Sequence, residues 1–231
     1  MKGSSLYTSI HRLSLLRRHQ SLQSFTSKEY PVRSDQEVGL VAEATMRDLV
    51  QWGWATMINA ERSLLANALL DFSNERFILL SETCILSFNF TTPYTYLLNS
   101  NHNFFSSFDD PRRMGRDRYN KRMWPAISLS DWHKGSQWFE VHQKLAIQVI
   151  FDVTYYPVFK DHCKPPCYMD EHHLPTLVTK VCPELTSNRT ITWADWSGGG
   201  SHPTRWPRRY LDLILLVHET PTKIESQESK M

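Results

Sequence analysis

The stretch Phe77-Ile-Leu-Leu-Ser-Glu-Thr, residues 77–83, contains the pattern that best indicates the fold. Its first four residues form a continuous apolar run after a polar turn, which is typical of a strand buried in a parallel sheet. The preceding segment predicts a helix, because Ala60, Leu64 and Ala68 recur on one face. A helix, a tight turn and a buried strand predict an α/β fold with a mainly parallel central sheet flanked by helices.

Ser81 and Glu82 follow this strand directly. Ligands in open α/β sheets bind at the carboxyl ends of the strands, so we expect these two residues at the edge of a substrate site. The alternative is an ordinary turn from strand to loop, and the position of these residues after the strand fits both interpretations equally well.

The composition is that of an ordinary globular protein, with 41% hydrophobic and 22% charged residues in a chain of 231. A net charge of +2 argues against binding of nucleic acids or other polyanions by the chain as a whole. The sequence contains no apolar run long enough for a transmembrane helix.

The chain contains no internal repeat and no linker, so we predict one domain over residues 51–219. Residues 1–50 lack a sustained hydrophobic period and are predicted to be a divergent or poorly ordered segment. Residues 220–231 are polar and are predicted to be a disordered tail.

Two glycosylation sequons and an even number of cysteines favour the secretory pathway. Asn89-Phe-Thr and Asn188-Arg-Thr are candidate N-glycosylation sites, although such triplets also arise by chance. The four cysteines are compatible with disulfides.

The segment densest in chemistry is Cys163-Lys-Pro-Pro-Cys-Tyr-Met-Asp-Glu-His-His, residues 163–173. Its thiols and imidazoles could bind zinc, but structural zinc sites usually draw their ligands from two separated pairs. Adjacent histidines at a helix start also point about 100° apart, which disfavours a shared ion. The remaining interpretations are a loop pinned by a disulfide and a site for general-base catalysis.

Asp170 and Glu171 lie where this stiff segment is predicted to enter a helix. Backbone N–H groups at a helix N-terminus stabilise a carboxylate in its ionised form. We therefore expect Asp170 to cap the helix and Glu171 to accept a proton as a general base. Motifs of the P-loop, Rossmann and G-x-S-x-G types are absent, and no D-x-D triplet follows an apolar strand.

A basic run extends from Arg112 to Arg122, where six of eleven residues are Lys or Arg. Such a run is usually a solvated loop. The sharper interpretation is a loop that faces an anion or a substrate.

These segments occur together in an order that resembles a known family. The chain is similar to plant core-2/I-branching β-1,6-N-acetylglucosaminyltransferase-like proteins over residues 51–204. The similarity lies in Trp52-Gly-Trp-Ala-Thr-Met-Ile-Asn-Ala-Glu-Arg-Ser-Leu-Leu, Phe77-Ile-Leu-Leu-Ser-Glu-Thr-Cys, Gly135-Ser-Gln-Trp-Phe-Glu-Val-His, Cys163-Lys-Pro-Pro-Cys-Tyr-Met-Asp-Glu-His and Trp193-Ala-Asp-Trp-Ser.

The resemblance implies an inverting glycosyltransferase with a GT-A-like fold. It would transfer an N-acetylglucosamine-like sugar from a UDP-sugar to a hydroxyl of a glycan or glycoprotein, without a metal or other cofactor. The base of the family falls on Glu171. The resemblance also implies a Golgi membrane protein, although the anchor is not visible in this sequence.

The resemblance further implies that Arg116, Arg118 and Tyr119 belong to an acceptor-binding loop and that Trp196 is an aromatic residue facing the acceptor. It ends near residue 204, before the strand in which relatives bind the donor diphosphate, so we expect an incomplete domain. The alternative is a catalytically inactive carbohydrate-binding or interaction protein derived from the family.

Overall fold

The computed structural model describes the backbone of Arg12–Arg17 and Gln20–Phe25, together with residues 50–80, 88, 91–199 and 203–204. The predicted site residues Ser81, Glu82 and Asn89 and the predicted tail of residues 220–231 lie outside these ranges.

The described strands form one four-stranded sheet in the order β2-β1-β3-β4. They are β1 (Arg12–Arg17), β2 (Gln20–Phe25), β3 (Asn74–Leu80) and β4 (Glu140–His142). All three strand pairs are antiparallel, so the predicted mainly parallel sheet is not what these strands form. The apolar run in β3 did predict burial, because Phe77, Ile78 and Leu79 are buried on both faces. Burial does not determine the direction of the neighbouring strand, and this is why the prediction failed.

β1 and β2 lie in the segment for which the sequence predicted no regular element. β1 pairs with β2, which follows it directly, and along its whole length with β3, which is distant in sequence. Such pairing needs no local hydrophobic period, and the sequence pattern therefore did not reveal it.

Five α-helices occur in the described residues: α1 (Ala55–Leu69), α2 (Thr91–Leu98), α3 (Gln143–Ile150), α4 (Tyr155–His162) and α5 (Met169–Val181). The predicted apolar face of α1 is confirmed, since Leu64, Leu65 and Ala68 are buried. No helix in the described part of the chain is long and apolar enough to span a membrane.

Two groups of buried side chains hold these elements together. The larger joins α1, α3, α5, β3 and β4 and includes Leu64, Leu65, Ala68, Phe77, Leu79, Val141, Leu145, Val149, Leu177 and Val178. The smaller contains Ile58, Met123, Ile127, Trp132, Phe159, Cys163, Cys167 and Met169. Because it includes the residues on either side of Tyr168, the smaller group fixes the start of α5.

The chain divides into two compact units. The first consists of Met1–Cys84 and Tyr94–Thr192, and the second of Ile85–Pro93 and Trp193–Met231. The sheet and the start of α5 belong to the first unit. In the second, the backbone N–H of Thr204 donates to the carbonyl oxygen of Asp195 at 2.6 Å.

Candidate active site

The loop that leads into α5 is closed by a disulfide. Cys163 and Cys167 are bonded, with their Cα atoms 5.3 Å apart, and the helix begins after Tyr168. The interpretation of this segment as a disulfide-pinned loop is therefore confirmed. The zinc interpretation fails, because both thiols that it required are bonded to each other.

The two histidines that follow pack in different directions. The ring of His172 stacks on Trp132 with 4.3 Å between centroids, and its Nδ1 lies 2.8 Å from the carbonyl oxygen of His133. His173 instead places its Nε2 3.3 Å from a carboxylate oxygen of Asp152. Both rings are buried, and they serve as packing groups of the core.

Asp170 is not the cap of α5, contrary to the sequence prediction. The N-cap is Tyr168, which makes no side-chain cap bond, and Asp170 is the second residue of the helix. The backbone of Tyr168 therefore sets the helix start. Asp170 is only 7% exposed, and its Oδ1 has no hydrogen-bond partner among the described residues. Burial, reinforced by the neighbouring charge of Glu171, raises the pKa of Asp170 to about 6.

Glu171 presents one oxygen to two cations. Its Oε2 lies 2.6 Å from Nη1 of Arg118 and 3.3 Å from Nζ of Lys134. Its Oε1 has no hydrogen-bond partner among the described residues, and the side chain is 30% exposed. The carboxylate is thus held in place through Oε2, and the described residues place no hydrogen-bond partner on Oε1.

A proline within α5 connects Glu171 to the loop that carries Lys134. Proline has no backbone N–H, so Pro175 cannot donate to the carbonyl oxygen of Glu171 four residues earlier. The N–H of Gly135 donates to this oxygen instead, at 2.8 Å. Any Cβ at Gly135 would lie 2.0 Å from the carbonyl oxygen of Ser106, so only glycine allows this approach. The hydrogen bond places Lys134 beside Glu171.

The same loop is bound to α5 at a second point. The N–H of His133 donates to Oγ1 of Thr176 at 3.1 Å, and the carbonyl oxygen of His133 accepts from His172. Hydrogen bonds at His133 and Gly135 therefore fix residues 133–135 along one side of the helix.

Of the predicted acceptor loop, the structure brings Arg118 to Glu171. Arg116 is exposed and forms an ion pair with Asp109. The hydroxyl of Tyr119 donates to the carbonyl oxygen of Ile127 at 2.7 Å. The acceptor roles predicted for Arg116, Arg118 and Tyr119 remain predictions.

Two other predicted residues remain untested in their roles. Trp196 lies in the second unit and is 39% exposed. Asn188 is exposed, has a φ of +51°, and accepts a hydrogen bond from the N–H of Ser107 through its Oδ1 at 2.8 Å. Glycosylation at Asn188 and acceptor binding at Trp196 stay predictions.

Sequence reasoning missed three residues that shape this site: Lys134, Tyr168 and Pro175. Lys134 directly precedes the Gly135-Ser-Gln-Trp segment, and Pro175 lies in the predicted helix, four residues after Glu171. A proline at that spacing signals a free carbonyl at Glu171. No local pattern indicates which residue binds that carbonyl.

Most of the chain is similar in sequence to known proteins. The sequence profile of the family described as Core-2/I-Branching enzyme matches residues 10–212. Glycosyltransferase BC10 of Oryza sativa subsp. japonica is 37% identical over 171 residues, which cover 64% of this chain and 42% of that protein. The chain thus spans less than half the length of this curated relative. No solved structure matches the chain.

Proposed function

This chain belongs to the core-2/I-branching enzyme family, and from this premise we propose that it is an inverting glycosyltransferase in which Glu171 is the general base. The donor is a UDP-sugar carrying an N-acetylglucosamine-like sugar, and the acceptor is a hydroxyl of a glycan or glycoprotein. The proposal includes a GT-A-like fold and a location in the Golgi membrane.

The observation that carries the proposal is the asymmetry of the Glu171 carboxylate. Arg118 and Lys134 hold Oε2, and Oε1 is left for a substrate. A general base must lie within hydrogen-bond reach of the proton that it removes, and a fixed carboxylate with one open oxygen meets this need.

In the proposed step, Oε1 of Glu171 accepts the proton of the acceptor hydroxyl. The acceptor oxygen attacks the anomeric carbon from the face opposite the diphosphate, and a new glycosidic bond forms. The bond to the diphosphate breaks, and the leaving oxygen takes its electron pair. A single displacement of this kind inverts the configuration of the anomeric carbon.

Asp170 contributes charge in this proposal. With a pKa of about 6, its carboxyl is mostly ionised at pH 7 and then adds a second negative charge beside Glu171. Its buried position makes it a supporting carboxylate, whereas Glu171 makes the contact with the substrate.

The leaving diphosphate also requires positive charge, which a transferase supplies with a metal or with cationic side chains. We propose cationic side chains and no metal requirement. Arg205, Arg208 and Arg209 are the candidates in this sequence, and they lie outside the described residues.

A transfer assay with purified protein tests this function. UDP-N-acetylglucosamine and other UDP-sugars are incubated with a panel of glycans, and the anomeric configuration of any product is determined by NMR. We expect transfer with inversion. Calorimetry that detects glycan binding but no binding of any UDP-sugar would instead support an inactive carbohydrate-binding protein.

A further inference from the structure

We propose that Tyr168 is a positioning residue, whose ring holds Arg118 on Oε2 of Glu171 and so keeps Oε1 open. This inference rests on the proposed function of Glu171 as the base. It concerns a residue that reaches Glu171 only through Arg118.

The backbone of Tyr168 has an unusual conformation for a bulky residue. Its φ of +55° lies in the left-handed region, which side chains with a Cβ rarely adopt. Such a conformation persists only where the surroundings impose it. Here the disulfide of Cys163 and Cys167 immediately precedes Tyr168, and the N–H of Met169 donates to the carbonyl oxygen of Gly53 at 3.0 Å. The turn is therefore fixed from both sides.

The ring of Tyr168 packs closely against the loop that precedes α1. A Cβ added at Gly53 would lie 2.7 Å from Cδ1 of Tyr168, and the φ of Gly53 is +77°. Glycine is thus required here both by the space and by the backbone. The contact prevents the ring from moving toward this loop.

Arg118 also contacts this ring. Its guanidinium carbon lies 4.5 Å from the ring centroid of Tyr168, within the range of a cation–π contact. Its Nη2 lies 3.4 Å from the sulfur of Met114, and its Nη1 donates to Oε2 of Glu171. The Arg118 side chain is only 7% exposed, so these neighbours define its position.

The hydroxyl of Tyr168 makes no hydrogen bond to other described residues, and the side chain is 37% exposed. The ring alone therefore accounts for the contact with Arg118. A phenylalanine at this position would retain it, whereas an asparagine would keep the left-handed backbone and lose the ring.

The test compares Tyr168→Asn with Tyr168→Phe in the full chain. Loss of the ring should lower kcat about threefold to thirtyfold, the range that corresponds to a cation–π contact. KM for the donor should stay within twofold, and Tyr168→Phe should retain the kcat of the unmodified protein. Equal kcat values for the asparagine and phenylalanine variants would overturn the inference.

A double-mutant cycle with Arg118→Gln separates positioning from a general structural role. If Tyr168 acts through Arg118, Tyr168→Asn should cause no further loss of kcat in the Arg118→Gln background. The same fold loss in both backgrounds would show that Tyr168 supports the fold only. If the asparagine variant does not fold, Tyr168→Gly provides the same backbone without a ring.

A second readout does not depend on activity. In protein labelled with ¹⁵N-arginine, the side-chain resonance of Arg118 should carry a ring-current shift that Tyr168→Phe keeps and Tyr168→Asn removes. An unchanged resonance would contradict the positioning role. If the resonance shifts but the unmodified protein transfers no sugar, the proposed function fails and the contact itself stands.

Discussion

Glu171 is a candidate base because of residues that surround it in space but are dispersed in sequence. The position of Glu171 near a helix start was predicted from the sequence. The approach of Lys134 and Gly53 to this helix start was not predicted, because both lie in loops whose course depends on the packed core. The helix cap was predicted wrongly for the same reason: the N-cap is Tyr168, whose backbone is fixed by the disulfide and by the contact with Gly53.

Pro175→Ala should weaken the connection between α5 and Lys134. The new N–H at position 175 would compete with Gly135 for the carbonyl oxygen of Glu171. We expect kcat to fall about fivefold, equivalent to one ordinary hydrogen bond of about 1 kcal/mol. The free energy of unfolding should not fall, since a proline inside a helix is unfavourable.

Kinetics and urea unfolding measure the two effects. Pro157→Ala is the control, because Pro157 lies in the first turn of α4, where its missing N–H has no helical partner. A Pro175→Ala variant with full kcat would show that this link does not affect the site.

Asp170→Asn should change the pH dependence of stability. The pKa of Asp170 is raised to about 6 in the folded protein, so its folded form favours the proton. The resulting stabilisation is complete below about pH 4 and is lost as the pH rises through about 6. Between these pH values the free energy of unfolding of the unmodified protein should fall by about 3 kcal/mol because of Asp170. The Asp170→Asn variant should lack this contribution.

Urea unfolding at pH 4 and pH 8 gives this difference for each protein. The exposed Asp161→Asn serves as the matched control. If the free energy of unfolding falls by the same amount in Asp170→Asn and in the unmodified protein, the pKa of Asp170 is not raised by folding.

At the scale of elements, local patterns predicted the helix α1 and the burial of β3, but not the strands β1 and β2. The face of α1 and the burial of β3 follow from spacing alone. The antiparallel direction of the strands does not follow from spacing, because it depends on β1 and β4, which pair with β3 from distant parts of the chain. An ion pair between Arg76 and Glu140 contributes to the second of these pairings.

Arg76→Met should destabilise the sheet. Arg76 and Glu140 are both buried, with 3.3 Å between Nη1 and Oε1, and the substitution leaves a buried carboxylate without its cation. The expected loss is about 3–5 kcal/mol in the free energy of unfolding. The double variant Arg76→Met, Glu140→Leu should recover much of this loss, and urea unfolding tests both. Equal losses in the single and double variants would contradict this account.

At the scale of the whole molecule, the sequence predicted the family, and the match over residues 10–212 confirms it. The division into two units was not predicted, because no linker marks a boundary and the second unit combines two segments that are distant in sequence. The disulfide beside the candidate base has a consequence for the whole chain, since disulfides persist in oxidising compartments.

Protein made in the secretory pathway should contain the disulfide of Cys163 and Cys167, detected by mass spectrometry of non-reduced peptides. Replacing both cysteines with serine should lower the free energy of unfolding by about 2 kcal/mol, as expected for so short a loop. Free thiols at both positions in secreted protein would contradict the pairing.

The central claim is that Glu171 is the base, and the most direct measurement is kcat for Glu171→Gln beside the exposed control Glu184→Gln. The amide keeps the shape of the side chain but cannot accept the proton. We predict that kcat falls about 10²–10⁴-fold for Glu171→Gln, with KM for the donor within threefold. The control should keep the kcat of the unmodified protein. A folded Glu171→Gln variant that transfers sugar as fast as the control would contradict the claim.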